Sequence, residues 1–337
     1  MKLLHSLPPY NFCGSGQDGE NAFERARVAV LPVPFDSTAT YGTGAREGPH
    51  AIISASRFLE PYDSELKFNA EKQVGFFTLN ELEPARGDSK ETVGRVKDVV
   101  GQVLEKKKFP LMLGGEHSIT IGAVQAIAQH FHAKDASVLC LDAHADWWDE
   151  YEGSGYSHAS VGARIADAGN SGGAKRVAAT LRGEKIADIT PSIANEKIGE
   201  VIVGVRSAGE QELANAGKAG VEIVFAHEFN DGGKGNGANL GKIIQKRILP
   251  KLKRDVYLSF DLDGLDPSIM PSVGTPEPNG LLWWQVTKII REVAMARNIV
   301  GADVVELSPI PGLAAPDFLA AKLAYFIAAS AFAKSMR

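Results

Sequence analysis

The sequence is short of the features that mark secreted and membrane proteins. Its 337 residues include only two cysteines, Cys13 and Cys140, too few for a disulfide framework, which indicates a reducing, cytoplasmic setting. Residues 1–12 lack an apolar core long enough for a signal peptide. The longest apolar run, Leu323–Ala333, is shorter than the roughly 20 residues that span a bilayer. We therefore expect no membrane partner and interpret this run as a buried or subunit-contacting helix.

An excess of positive charge is also missing. The chain has 36 Lys and Arg against 41 Asp and Glu, a formal charge of −5, which gives no support for nucleic-acid binding. The glycine-rich stretch 231–239 lacks the P-loop spacing before a Lys-Ser/Thr pair, so we interpret it as a flexible loop rather than a phosphate cradle.

Apolar, β-branched runs alternate with segments of helical spacing along the chain, which predicts a parallel sheet covered by helices on both faces. No linker divides the chain, so we expect one domain over residues 1–337. Residues 169–197 fit neither period and are interpreted as an excursion. We also expect Ser118 to cap the helix that follows it. The same patterns predict strands at 27–33, 73–77, 109–113, 137–141, 255–260 and 299–307, and a helix at 240–253.

Potential metal ligands follow one of these predicted strands at every second position. Asp142, His144 and Asp146 come directly after the apolar run 137–141. On an extended backbone, residues two apart point to the same side, so the three side chains are expected to converge.

Two further strands end in the same kind of residue. Asp261 and Asp263 follow the strand at 255–260, and His117 follows the strand at 109–113. Because sites in open α/β sheets lie beyond the carboxyl ends of the strands, we predict that all six side chains meet there. A single His or Asp at a strand end is usually a capped loop residue, but six of them at three strand ends favour a metal site.

The composition of this cluster indicates which metal it holds. Four carboxylates and two imidazoles are too many ligands for one structural zinc ion. They suit two divalent ions that share bridging carboxylates, about 3.5–4 Å apart, and oxygen-rich ligation with some imidazole favours Mn²⁺. The balance of charge favours a cationic substrate.

The same stretches resemble the signature motifs of the ureohydrolase family, which comprises arginases, agmatinases and their guanidino- and formimidoyl-hydrolysing relatives. The resemblance covers residues 27–335 and implies a three-layer α/β/α fold, two Mn²⁺ per subunit, and homotrimers or homohexamers. The motifs are GGEHS (114–118), DAHAD (142–146), SFDLDGLDP (259–267) and VELSP (305–309), with support from VPFD (33–36), GAREGPHAI (44–52), VGVRS (203–207) and GTP (274–276).

The resemblance also implies a ligand set and a mechanism. A hydroxide shared by the ions would attack the guanidinium carbon, and Asp146 would pass its proton to the leaving amine. One ion would be held by His117, Asp142, Asp146 and Asp261, and the other by Asp142, His144, Asp261 and Asp263.

Three more residues acquire roles through the resemblance. Glu306 would orient the guanidinium, which a carboxylate can bind bidentately; otherwise it is a strand-end residue paired with a local Arg or Lys. His158 matches a mobile proton-shuttle histidine, or is a loop histidine with no special task. Thr275 lines the guanidinium pocket or is a plain turn residue.

The substrate tail is expected to carry an amine and no carboxylate. Trp148 stands where arginases carry Asn, and an indole does not replace the hydrogen bonds of an amide to a carboxylate. Residues 207–209 lack the aspartates of arginases, although Ser154 matches a carboxylate-binding serine. Glu150 lies in an acidic loop that either attracts an amine tail or is a solvated face.

We therefore predict hydrolysis of agmatine to putrescine and urea. Guanidinobutyrate, arginine and a formimidoyl compound are alternative substrates. A non-catalytic metal-binding scaffold is the alternative from another class, although such a protein has no physical need for two hydrolytic metals.

Overall fold

The computed structural model describes Leu4 and residues 10–14, 21–168, 197–229 and 238–334. Its strands are β1 (Val28–Val33), β2 (Tyr62–Asp63), β3 (Phe68–Asn69), β4 (Phe76–Thr78), β5 (Phe109–Gly114), β6 (Ala136–Leu141), β7 (Gly199–Val205), β8 (Glu222–Phe225), β9 (Asp255–Asp261) and β10 (Asn298–Val305). Its helices are α1 (Ala22–Arg25), α2 (Gly48–Ser56), α3 (Ala70–Gln73), α4 (Ser89–Glu105), α5 (Thr120–Phe131), α6 (Val161–Ala168), α7 (Glu210–Ala219), α8 (Ala238–Ile243), α9 (Trp283–Ala296) and α10 (Ala314–Ala333).

One central sheet contains eight of these strands, in the order β4-β1-β5-β10-β9-β6-β7-β8. Every neighbouring pair in this sheet is parallel. Strands β2 and β3 form a separate antiparallel pair. Helices pack on both faces of the central sheet, which confirms the predicted three-layer α/β/α architecture.

The side chains of β5 illustrate how the two faces are filled. Leu111 and Leu113 lie in the core shared with α2, α9 and α10, whereas Met112 lies in the core shared with α4 and α5. A strand that is buried on both faces has a continuous apolar sequence. The apolar runs of the sequence therefore predict the central strands well.

Helix α10 is the apolar segment near the end of the sequence. Among the described residues it alone is long and apolar enough to cross a membrane, with a mean hydropathy of 1.2, but 61% of it is buried inside the protein. It packs against α2, α9 and β10. It is therefore a core helix, as one of the two sequence interpretations expected.

The predicted cap of α5 is wrong. A 3-10 turn over His117–Ile119 precedes the helix, which begins at Thr120. The Ser118 hydroxyl instead donates a hydrogen bond of 2.6 Å to Glu116 Oε1. Glu116 is completely buried, and a buried carboxylate needs such donors.

Two other predicted elements are displaced or shortened. The strand expected at 73–77 is β4, because Gly75 has a φ of +75° and turns the chain after α3. The helix expected at 240–253 begins at Ala238 and continues as a π-helix only to Ile248, since Pro250 has no N–H to donate. The excursion at 169–197 and the loop at 231–239 lie almost wholly outside the described residues.

Candidate active site

The four central strands β5, β10, β9 and β6 end side by side at one edge of the sheet. This adjacency brings together side chains that are up to 189 positions apart in the sequence. All six predicted metal ligands and Glu306 meet at this edge.

His117 is the centre of the first group of ligands. Its Nδ1 lies 3.2 Å from Asp142 Oδ2, 3.1 Å from Asp146 Oδ2 and 3.2 Å from Asp261 Oδ2. These four residues are the set predicted for the first ion, and the structure assembles them around one point.

His144 is the centre of the second group. Its Nδ1 lies 3.0 Å from Asp263 Oδ2 and 3.7 Å from Asp142 Oδ1. Asp142 thus turns one oxygen toward each histidine, which is the geometry of a bridging carboxylate. The Thr275 hydroxyl donates to Asp263 Oδ2 at 3.1 Å and so orients a ligand.

The crowding of these carboxylates has a clear electrostatic effect. Burial, together with the charge of Asp142, raises the pKa of Asp146 to about 7. Burial and the charges of Asp263 and Asp142 raise the pKa of Asp261 well above its usual range. Against the effect of burial, the neighbouring imidazoles of His117 and His144 hold the pKa of Asp142 well below that range. Cations between the carboxylates would relieve this repulsion.

The donor set fits two divalent cations. The imidazoles of His117 and His144 mark two groups of carboxylates that share Asp142, which suits a two-ion hydrolytic site better than a single tetrahedral one. Cys140 lies close by, but its Sγ contacts Nε2 of His117 at 3.9 Å rather than the Nδ1 that faces the ligands. Burial raises the pKa of the Cys140 thiol well above its usual range.

A buried network behind His117 fixes its ring. Ser259 donates its hydroxyl hydrogen to Asp303 Oδ1 at 2.7 Å, so its oxygen must accept the Nε2–H of His117 at 3.0 Å. Tyr257 and Thr120 donate to the other oxygen of Asp303 at 2.8 and 2.9 Å. The lone pair of Nδ1 is thereby directed at the ligand cluster.

Glu306 follows β10 in a strained conformation, with a φ of +67°. Its Oε1 accepts the backbone N–H of His117 at 2.6 Å, and its side chain lines the central cavity. Burial and the charge of Glu116 raise its pKa well above the usual range. Within the described ranges no Lys or Arg forms an ion pair with it, so the alternative of a local structural pair is wrong. Asp146 also has a positive φ, of 51°, and such strain is common at functional sites.

His158 borders the same cavity on the side of the loop 36–44. Its Nε2 lies 3.0 Å from Thr40 Oγ1, and its Nδ1 lies 3.4 Å from Thr38 Oγ1. Thr38 in turn donates its N–H and its hydroxyl to the Glu116 carboxylate, both at 2.6 Å. Burial lowers the pKa of His158, so the neutral ring that accepts protons is favoured.

The cavity above the ligands has a volume of about 440 Å³. Trp148, Thr275 and His158, three of the residues singled out from the sequence, line it. Gly42 and Gly274 meet at its rim, where the N–H of Gly42 donates to the Gly274 carbonyl at 3.2 Å. A Cβ on either glycine would lie within 2.9 Å of the carbonyl oxygen of the other.

The carboxylates of the acidic loop, at Asp149, Glu150 and Glu152, are not part of the cavity wall, although Tyr151 of the same loop is. Glu150 is exposed and is absent from the cavity wall, which argues against its predicted contact with the substrate. Asp149 forms an ion pair with the buried Arg164. Ser154 lines a separate cavity near the start of α4, where its hydroxyl lies 3.3 Å from that of Ser89. The predicted carboxylate-binding serine is therefore not at the site.

Trp147 anchors the loop that carries three of the ligands. Its backbone N–H donates to Glu212 at 3.1 Å, and its indole N–H donates to Glu200 at 2.9 Å. The ring packs on Gly162, where a Cβ would overlap it. Sequence reasoning missed this residue, although a tryptophan pair after DAHAD was a signal that one ring is buried.

Comparison with known proteins gives one consistent result. The arginase family profile matches residues 26–329. The chain is 36% identical to an N(1)-aminopropylagmatine ureohydrolase of Thermus thermophilus, covering 91% of this chain and 90% of that protein. It is 30% identical to the Synechocystis enzyme of the same name, covering 90% and 89%. The agmatine ureohydrolase structure of Thermoplasma volcanium superposes with a TM-score of 0.75 at 30% identity, covering 98% and 96%.

Proposed function

Because this chain belongs to the arginase family and hydrolyses guanidino compounds, we propose that it releases urea from N(1)-aminopropylagmatine, with agmatine as the second candidate. The observation that carries the reaction type is the cluster of three carboxylates within 3.2 Å of His117 Nδ1, beside Glu306, which forms no ion pair with a described Lys or Arg. The names of the two relatives above favour the longer amine. The name of the Thermoplasma volcanium structure favours agmatine, which the sequence analysis also predicts.

The cofactor in this proposal is a pair of Mn²⁺ ions. Carboxylate and imidazole ligands suit Mn²⁺, and in this cluster they outnumber the single nearby thiol, that of Cys140. Such ions supply hydroxide at neutral pH, because coordination lowers the pKa of water. His117, Asp142, Asp146 and Asp261 would hold one ion, and Asp142, His144, Asp261 and Asp263 the other; the second role of Asp261 is taken from the family resemblance.

Glu306 holds the guanidinium in this mechanism. Its Oε1 is occupied by the N–H of His117, so Oε2 accepts hydrogen bonds from the guanidinium nitrogens. The cationic substrate favours the ionised form of a carboxylate that burial alone would protonate. Charge-assisted bonds of this kind fix the plane of the guanidinium, and with it the carbon that is attacked.

Asp146 and His158 move protons in this mechanism. Water adds to the guanidinium carbon, the bond from this carbon to the nitrogen of the alkyl chain breaks, and urea leaves. Asp146 takes up the proton of the nucleophile and delivers it to the departing amine. His158, at the mouth of the cavity and with a lowered pKa, exchanges protons between this amine and solvent.

Urea release from the Mn²⁺-loaded protein tests the proposal. We expect the highest kcat/KM with N(1)-aminopropylagmatine, a lower value with agmatine, and little turnover of guanidinobutyrate or arginine. Urea release from none of these four compounds would contradict the proposed function.

Two variants separate the roles within the site. Asp142→Asn should lose Mn²⁺ and activity together, because Asp142 serves both ligand groups. Glu306→Gln should retain Mn²⁺, measured by elemental analysis, but lose kcat by about 100-fold or more. A scaffold without catalysis would bind Mn²⁺ in the wild type and turn over nothing.

A further inference from the structure

Part of the cavity wall beyond the proposed ligands depends on a glycine that packs against an aromatic side chain. Gly209 precedes α7, and a Cβ at this position would lie 3.2 Å from Cζ2 of Trp148 and 3.8 Å from its Cη2. Cβ contacts as short as 3.2 Å are tighter than most, so a side chain here would push the indole away. The absence of a side chain at Gly209 therefore lets the half-buried Trp148 form part of the cavity wall.

Tyr151 extends this aromatic wall toward His158. Its ring centroid lies 6.3 Å from that of Trp148 and 5.9 Å from that of His158, and all three rings line the cavity. An aromatic wall offers contact area to a methylene chain, and its π faces attract ammonium groups.

One carboxylate on the cavity wall forms no hydrogen bond or ion pair with any described residue. Glu212 already accepts the N–H groups of Trp147 and Gly209. Glu277 is half-buried, and it is the carboxylate left without such a contact. The guanidinium of Arg206 binds the backbone carbonyl of Glu277 at 2.8 Å and so fixes the turn that carries it; the two side chains attract each other electrostatically but do not form an ion pair.

We infer that Trp148, seated on Gly209, and the carboxylate of Glu277 select the amine tail of the substrate. This inference rests on the proposed function and assigns specificity within it. The methylene chain lies along the indole, and an ammonium of the tail pairs with Glu277. A substrate that carries a carboxylate at the same place is rejected, because it meets a negative charge and no amide donor.

Substrates that lack one part of the tail test this assignment. For Trp148→Ala and Glu277→Gln we expect kcat/KM with N(1)-aminopropylagmatine or agmatine to fall about tenfold, mainly through KM. With butylguanidine, which keeps the methylene chain but has no amine, Glu277→Gln should change kcat/KM less than about threefold, whereas Trp148→Ala should still lower it. With methylguanidine, which has neither, both variants should change it less than about threefold, and Trp148→Phe should restore much of the loss with the longer substrates. An equal loss with butylguanidine in Glu277→Gln, or with methylguanidine in Trp148→Ala, would overturn the assignment, because it would show damage to the reacting centre.

A binding measurement keeps this inference separate from the proposed function. The triamine left after urea release is titrated into the Mn²⁺-loaded protein by calorimetry, which requires no turnover. We expect Kd to rise about tenfold in Trp148→Ala and in Glu277→Gln, and to stay unchanged in Glu150→Gln, a matched change in the exposed acidic loop. If Glu150→Gln weakens binding and Glu277→Gln does not, the inference is wrong, whether or not urea is released.

Discussion

His117 illustrates how the residues behind a proposed metal ligand orient it. Asp303 and Ser259 lie on the neighbouring strands β10 and β9, and because the Ser259 hydroxyl donates to Asp303, its oxygen is left to accept from His117 Nε2. A histidine whose other nitrogen is held in this way is oriented before an ion binds.

Replacing Asp303 tests this orientation at the level of one residue. Asp303→Asn removes an acceptor from the three hydroxyls that donate to it, so the Ser259 oxygen no longer holds the imidazole in place. We expect the affinity for Mn²⁺ to fall about 10–100-fold. Competition with a fluorescent chelator measures this change in demetallated protein.

A matched Asp→Asn change is available on the surface. Asp98→Asn, at an exposed position of α4, should leave the Mn²⁺ affinity unchanged. An Asp303→Asn protein that folds normally and binds Mn²⁺ as tightly as the wild type would contradict the role of the network.

The proposed metal ligands are easier to predict from the sequence than the residues that orient them. Asp142, His144 and Asp146 are visible because a period of two follows an apolar run. The residues behind His117 cannot be recognised in this way, because Ser259 and Asp303 come from strands that are adjacent only in the folded sheet. The only sequence signal for Asp303 is that it is a lone charged residue inside an apolar strand. Whether Glu150 faces the cavity or solvent could not be predicted from the sequence alone.

Among the secondary-structure elements, β7 and α6 hold the ligand loop between them through Trp147. The Glu200 carboxylate on β7 accepts the indole N–H, and burial raises its pKa to about 8. The folded protein therefore binds a proton between about pH 4.5 and 8 that the unfolded chain does not bind. The stability of the fold accordingly decreases as the pH rises through this range.

A neutral isostere of Glu200 should remove this pH dependence. Gln keeps an oxygen for the indole N–H and has no proton to lose. We expect the Tm of Mn²⁺-loaded Glu200→Gln to exceed that of the wild type by about 2 °C or more at pH 8.5, and to equal it at pH 4.5. Glu105→Gln, at an exposed end of α4, should follow the wild type. Parallel Tm curves for Glu200→Gln and the wild type would show that the buried carboxyl does not titrate as described.

Boundaries of elements were harder to predict than their existence. The central strands are evident from the sequence, because a strand that is buried on both faces needs a continuous run of apolar residues. The predicted boundaries are wrong where a tertiary contact or a backbone conformation determines the local structure. The hydroxyl of Ser118 serves the buried Glu116 instead of the helix, and Gly75 moves the start of β4.

For the whole molecule, we propose a single domain, because one sheet unites strands from Val28 to Val305. Assembly into trimers or hexamers remains a prediction from the resemblance. We expect sedimentation to give three or six times the 36.0 kDa mass of the chain. Exposed apolar side chains in the segment after β10, at Ile310, Leu313 and Phe318, are consistent with a subunit contact. A monomer at micromolar concentration would contradict this expectation.

The backbone contact between Gly42 and Gly274 limits how the substrate range of this enzyme can change by mutation. Main-chain atoms of two distant loops touch there without intervening side chains, so that part of the entrance has a width that no substitution can enlarge. Space for a bulkier or shorter compound must therefore come from side chains elsewhere on the cavity wall, such as Trp148 and Tyr151. We therefore expect libraries randomised at Trp148 and Tyr151 to yield altered substrate ranges, and libraries randomised at the two glycines to yield inactive protein.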